Sequence, residues 1–154
     1  MSNDEWVDTC GLDVDDPAFA QLSDEWEAKT QAFCSGARDP RELHVFVDTF
    51  NWDQGTDDLA AILQNPVCEA ATALMIYWRA SPEFYLDHPP AADEPIPEEL
   101  ALIRSIEHRY ANGAFQRGIC SYDPVEDRMV IRPEQRRLPQ IMYKPVVRSD
   151  DTAA

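Results

Sequence analysis

The chain has 154 residues, of which 44% are hydrophobic, and its 29 Asp and Glu against 13 Lys and Arg give a formal net charge of −16. This composition favours a folded domain with a real core, and its negative charge argues against binding to nucleic acid or to an anionic membrane surface, because phosphate would repel it. No apolar run approaches the ~20 residues that cross a bilayer, and the first residues, MSNDEWVD, do not resemble a secretion signal, so we expect a cytoplasmic protein.

The negative charge is concentrated in the first two thirds of the chain. Residues 1–99 contain 22 acidic and 4 basic side chains, or −18, whereas residues 100–154 contain 7 acidic and 9 basic ones, or +2. Such an uneven distribution can steer a basic partner towards the front of the molecule. The alternative is a charged surface that only maintains solubility, and the charge count favours neither explanation.

Three segments are predicted along the chain. Residues 1–15 form an acidic N-terminal arm, residues 16–147 a single mainly helical domain, and residues 148–154 a disordered C-terminal tail. The arm carries apolar side chains among its acids, including Trp6, but has no clear helical or strand period. We expect it to pack through Trp6 or to stay mobile.

Helix-start signals and an apolar period of 3.6 residues predict five helices. The first two begin at Asp16 and Asp39, each an N-cap residue followed by a proline suited to the first helical position. A short third helix ends before Pro66, because the residue preceding a proline is displaced from the α region. A fourth covers residues 67–80, and a fifth begins at Glu98. The fourth is apolar nearly all round, so we expect it at the centre of the core.

Extended structure is predicted in two places. Residues 81–97 contain five prolines and are expected to form a stiff connector. Residues 119–132 are expected to form a β-hairpin in which Met129 and Ile131 share one face, and residues 138–147 to add an edge strand. The predicted fold class is therefore mainly α (α+β), with about five helices and a small C-terminal β-hairpin or short sheet.

The sequence contains no familiar catalytic signature. Glycine-rich phosphate loops, a nucleophile elbow and paired-cysteine metal motifs do not occur, so we expect no cofactor, no metal and no enzyme activity. His44 and Asp48 lie four residues apart on the second helix, with Asp53 just beyond it, and are the candidates for a metal-binding or motif-less enzyme site. A solvated i, i+4 pair is the alternative. Without a secretion signal, the cysteines are expected to be reduced thiols: Cys10, Cys34, Cys68 and Cys120.

The tryptophans divide into two groups. Trp26 and Trp78 lie on apolar helix faces, so core packing is the expected role for both. Trp6 and Trp52 lie in the arm and in a turn, and they are better candidates for an exposed anchor that contacts a partner. Trp52 could instead fill the junction between the second and third helices.

Four short segments in the middle of the chain form an ordered set. They are FNWDQG at 50–55, the break NPVC at 65–68, the run TALMIYW at 72–78, and the fifth helix followed by Gly113, Phe115 and YDP at 122–124. This set, over roughly residues 40–125, resembles a bacterial family catalogued only as a domain of unknown function.

The resemblance implies a small cytoplasmic bacterial protein. Some members of that family lie near polymorphic-toxin loci, so the resemblance suggests an immunity protein that neutralises a toxin by binding it. It assigns no catalytic residue. The residues that match also have a structural explanation as caps, a turn glycine and a packed hydroxyl: Asn51, Trp52, Asp53, Gly55 and Thr72.

The sequence therefore predicts a non-enzymatic acidic binding protein, most concretely an immunity protein that occludes the active site of a cognate toxin with a basic surface. An adaptor in an unrelated pathway and the site at His44, Asp48 and Asp53 are the alternatives. The oligomeric state stays open. The expected partner-binding residues combine carboxylates with two aromatic anchors: Trp6, Asp13, Asp15, Asp16, Trp52, Asp53, Asp57 and Asp58.

Overall fold

The computed structural model describes Asp15 and residues 17–152, and this part of the chain is mainly helical. Among these residues, three 3₁₀ turns accompany the helices, at Trp52–Gln54, Gln140–Tyr143 and Ser149–Thr152. The prediction of a mainly helical protein is confirmed. The described part contains six α-helices, named in chain order α1 Pro17–Gly36, α2 Pro40–Asp48, α3 Asp57–Gln64, α4 Ala70–Arg79, α5 Pro82–Asp87 and α6 Glu98–Ala111.

Helix α4 forms the centre of the core. All its residues from 70 to 78 are buried, and it contacts α2, α5 and α6. The indole nitrogen of Trp78 donates to the carbonyl of Met142 at 2.8 Å, and the Trp78 ring packs edge-on against Tyr143 with centroids 5.1 Å apart. The central position predicted for this helix is confirmed. Its small residues, at 70, 71 and 73, are all buried.

Helix α1 packs mainly against α3, and Asn65 joins the ends of these two helices. The Asn65 amide nitrogen donates to the carbonyls of Cys34 at 3.0 Å and Ala37 at 2.9 Å, and its side-chain oxygen accepts from the Val67 amide at 3.0 Å. The last carbonyls of a helix lack partners within the helix. Asn65 therefore caps the end of α1 while it orders the turn that follows α3.

The predicted extended connector at residues 81–97 is only partly correct, because it begins with α5. Pro82 occupies the first turn of this short helix. At that position the backbone N–H has no partner within the helix, so a proline loses no hydrogen bond there, and its fixed φ suits the helix. The remaining prolines of the segment, at 89, 90, 95 and 97, follow the helix. The number of helices is therefore six in the described part rather than about five.

The predicted C-terminal β-hairpin or short sheet is wrong, since the described residues contain no β-strand. Residues 124–128 form successive turns instead, and Arg128 has a left-handed φ of 59°. The predicted alternation also fails, because Met129 and Val130 both pack on the core while Ile131 is 75% exposed.

The edge strand predicted at residues 138–147 is replaced by the turn at Gln140–Tyr143 and one isolated antiparallel bridge. In that bridge Tyr122 and Val146 exchange backbone hydrogen bonds of 2.9 and 2.8 Å. Prolines at 124, 133, 139 and 145 have no N–H to donate, and they prevent a longer ladder.

The structure describes little of the predicted N-terminal arm and more of the predicted C-terminal tail. Of the predicted acidic arm, only Asp15 belongs to the described residues, and it is exposed. At the other end, within the predicted tail, the Ser149 amide donates to the carbonyl of Gly118 at 2.9 Å. None of the described helices has the length and apolar character needed to cross a membrane.

Candidate protein-binding groove

A groove of about 710 Å³ runs between α1 and α3. We call it the acidic groove, because its lining includes the carboxylates of Glu27, Asp57 and Asp58. No basic side chain is among the described residues that line it. Its other polar lining residues are Ser23, Thr30, Gln31, Gln54 and Gln64.

The start of α3 places two of these carboxylates. Asp57 and Asp58 occupy its first turn, where negative side chains interact favourably with the helix dipole. The preceding Thr56 donates its hydroxyl to Glu98 at 3.0 Å, and no side-chain hydrogen bond caps α3. The Asp58 carboxylate accepts from the Gln31 amide at 2.7 Å and so joins the two walls of the acidic groove.

The arrangement disfavours the ionised form of Asp58. Burial raises the pKa of its carboxyl above the ordinary value, and the negative charges of Asp57 and Glu27 raise it further, while the hydrogen bond from Gln31 opposes the rise. A cation placed in the acidic groove would reverse this effect, because an opposite charge nearby favours the ionised carboxylate.

The structure brings only two of the predicted partner-binding residues into the acidic groove, Asp57 and Asp58. Asp15 and Asp53 are exposed and are not in its lining. Trp52 packs edge-on against Phe50 with centroids 5.8 Å apart, as expected of a residue that fills the junction between α2 and α3. Three further predicted residues lie outside the described part of the chain: Trp6, Asp13 and Asp16.

Two lining residues of α1 were not predicted as site residues. Trp26 was expected in the core, but it is only partly buried and lines the acidic groove, and Glu27 beside it was not singled out. The sequence pattern that could have indicated them is the spacing of Trp26, Glu27, Thr30 and Gln31, which places them on one face of a helix and mixes polar with apolar residues.

The structure places two residues of the alternative site, His44 and Asp48, in one cleft, but not Asp53. The Nδ1 atom of His44 lies 2.9 Å from the Thr72 hydroxyl, and burial lowers the pKa of His44 below its ordinary value despite the nearby charges of Asp48 and Glu69. Asp53 does not line the cleft that contains His44 and Asp48. In the described part of the chain, no group of three or more His, Cys, Asp or Glu residues is arranged to hold a metal ion.

Asp48 instead belongs to an ion-pair network centred on Arg79. The Arg79 guanidinium contacts Asp48 at 2.8 Å and Asp127 at 3.0 Å, and Asp127 also accepts from the Tyr122 hydroxyl at 2.7 Å. Burial alone would lower the pKa of Arg79, but hydrogen bonds to both carboxylates raise it. The network fastens the turn at 124–128 to the end of α4.

A buried carboxylate, Glu69, stands at the start of α4. It is 7% exposed, and its oxygens accept from the backbone amides of Ile119 at 3.1 Å and Cys120 at 2.9 Å. Sequence reasoning assigned no role to Glu69 or to Arg79. The signal was present, because these two are the only charged residues in the segment 67–80, and a charge inside an apolar run needs a partner.

The described cysteines are poor nucleophiles. Cys34, Cys68 and Cys120 are free and buried, and burial raises the pKa of each thiol to about 12. Since the thiolate is the reactive form, these groups are inert near neutral pH. Their role is to fill space in the core.

Residues 38–111, a little under half of the chain, match the model of a family described as a domain of unknown function (DUF4274). The match runs from the residues before α2 to the end of α6, and so includes Asp57 and Asp58 but not the α1 wall of the acidic groove. The family is uncharacterised, as the resemblance of the sequence motifs implied. A search of curated proteins and a search of solved structures each found no match.

Proposed function

We propose that this protein is a non-enzymatic binding protein that receives basic side chains of a partner protein in the acidic groove. The observation that supports this proposal is the set of three carboxylates, Glu27, Asp57 and Asp58, in one groove whose described lining residues include no basic side chain. The raised pKa of Asp58 adds to it: burial is the main cause and the charges of Asp57 and Glu27 contribute, and a guanidinium or ammonium group nearby would favour the ionised carboxylate. Trp26 would supply apolar contact beside the charges, as aromatic anchors do in protein interfaces.

The partner that we propose is a toxin domain with a basic surface, and the chain would then act in the cytoplasm as a bacterial immunity protein. A net charge of −16 would accelerate the encounter with such a surface, and binding would occlude the toxin's active site. Toxins that act on nucleic acid tend to be basic, so an acidic protein can imitate the charge of their substrate. The predicted contacts outside the acidic groove remain part of this proposal, above all Trp6 and Trp52.

The proposal is tested by co-expressing the chain with the product of the neighbouring gene. We expect a complex whose dissociation constant rises steeply with salt. The double substitution Asp57→Asn and Asp58→Asn is expected to weaken it about tenfold or more, as loss of close interfacial charge pairs does. The matched control, Asp93→Asn with Glu134→Gln, changes the net charge equally at exposed positions outside the acidic groove.

Two outcomes would contradict the proposal. If no complex forms even at low salt, the neighbouring product is not a partner and the immunity role is refuted. If both double variants weaken the complex equally, general charge and not the acidic groove determines binding.

A further inference from the structure

A second cleft, of about 460 Å³, lies between α5 and residues 128–137. The buried indole of Trp78 and the partly buried side chain of Met129 belong to its lining. Its volume falls within the range of small-molecule sites, about 300 to 1,000 Å³. It shares no lining residue with the acidic groove.

Apolar side chains stand exposed around this cleft. Phe84 is 53% exposed, Leu86 38% and Ile131 75%, and all three line it. The imidazole of His88 stacks on the Phe84 ring with centroids 4.4 Å apart, which presents an aromatic wall. Single exposed apolar residues are ordinary, but several around one cleft are typical of a binding surface.

The charged groups of the cleft leave a positive edge. Arg137 binds Asp87 at 2.7 Å, so the charge of that carboxylate is already matched. Neither the Arg128 nor the Arg132 side chain makes a hydrogen bond or an ion pair within the described part of the chain, although Arg132 contributes to lowering the pKa of Asp87. Glu83 is the other acid in the lining.

The backbone at Arg128 is unusual as well. Its φ of 59° is left-handed, a conformation that is strained for a residue with a Cβ. The turn that ends at Arg128 is held by the hydrogen bond from the Met129 amide to the Pro124 carbonyl at 3.0 Å and by the Arg79 network. Strained backbone of this kind tends to occur at ligand sites.

We propose that this cleft binds a small aromatic carboxylate. The ring would lie among Trp78, Phe84 and Ile131, and the carboxylate would pair with the guanidinium groups of Arg128 and Arg132. Charge complementarity supports this ligand, because two guanidinium groups that make no hydrogen bond or ion pair with the described residues border an apolar cleft in a protein whose net charge is −16. The site goes beyond the proposed partner binding and does not depend on it.

The experiment is a titration of the full chain with 2-naphthoate and with its neutral counterpart 2-naphthamide, followed by two-dimensional NMR of the backbone amides. We expect saturable shifts confined to residues that line the cleft, and at least about tenfold tighter binding of the anion, as hydrogen bonds between charged groups provide. Arg128→Gln with Arg132→Gln should remove this preference without changing the affinity for the amide. Arg132→Gln alone, which leaves the left-handed residue in place, should reduce the preference several-fold.

The control variant is Arg104→Gln with Arg148→Gln, which changes the net charge equally at exposed positions outside the cleft. It should retain the affinity of the unmodified chain for 2-naphthoate. Equal affinities for the anion and the amide would overturn the proposal, and so would an equal loss in both double variants. Shifts spread over the whole molecule would also overturn it, since they indicate general association.

Discussion

Replacing Asn65 with alanine tests how the two helices of the acidic groove are held together. Asn65 is 5% exposed, and its side chain makes hydrogen bonds to three backbone groups, on Cys34, Ala37 and Val67. Alanine makes none of these bonds. The variant therefore leaves two carbonyls at the end of α1 and one amide after α3 without their partner.

The expected loss follows from these three bonds. A hydrogen bond contributes about 0.5–1.5 kcal/mol net, so three give about 1.5–4.5 kcal/mol. Only the bond to Cys34 is fully buried, and the other two groups can recover part of their energy from water. We therefore expect the free energy of unfolding to fall by about 2–3 kcal/mol. At about 2–4 °C per kcal/mol, the melting temperature should fall by roughly 4–12 °C.

Urea unfolding followed by circular dichroism measures this loss. The matched control is Asn112→Ala, because Asn112 is exposed and its amide makes one bond, to the His108 carbonyl of its own helix at 2.8 Å. The control should lose no more than about 1 kcal/mol. Losses that agree within about 0.5 kcal/mol for the two variants would refute the role assigned to Asn65.

Two further predictions concern the core and the ion-pair network. Burial would raise the pKa of Asp127, but hydrogen bonds from its guanidinium and phenol partners lower it, so its contribution to stability is present above the unfolded-state pKa and is lost as the pH falls through the folded-state value. Asp127→Asn should therefore flatten the dependence of unfolding free energy on pH below about pH 5, measured by urea unfolding, and a slope as steep as that of Asp93→Asn would contradict this. Gly118→Ala should destabilise by about 1–3 kcal/mol, because the added Cβ would displace the carboxylate of Glu69 from the Ile119 and Cys120 amides that hold it. Gly36→Ala meets open space at the end of a helix and should stabilise by up to about 1 kcal/mol in thermal unfolding; effects of the same sign would refute the steric argument.

The helices were predictable where local signals agreed. Residues 67–80 are apolar nearly all round, and the buried α4 lies within this segment. Helix α5 was missed because proline density suggested extended chain, although only Pro82 lies inside that helix and it occupies the first turn. The hairpin was predicted from alternation over five residues, which is too short a run to outweigh turn-forming hydrogen bonds at 123–129.

The acidic groove was predictable only in part, because it joins helices distant in sequence. Asp57 and Asp58 follow from charge and from their place at a helix start. The opposite wall, with Glu27 and Gln31, could not be assigned, because periodicity shows which face of α1 is apolar but not which helix covers it. The pairing of Arg79 with Asp127 is hidden for the same reason, since 48 positions separate the two residues.

The fold places the acidic and the basic residues of the chain at two different sites. The acidic groove draws on the front of the sequence, where the net charge is −18, whereas the arginines of the second cleft, Arg128, Arg132 and Arg137, come from the part with +2. The two sites share no lining residue and lie on different elements, and salt screens interactions between exposed charges. We therefore expect the two sites to respond independently. Neutralising Asp57 and Asp58 should leave binding of 2-naphthoate unchanged, and neutralising Arg128 and Arg132 should leave the salt-sensitive complex intact.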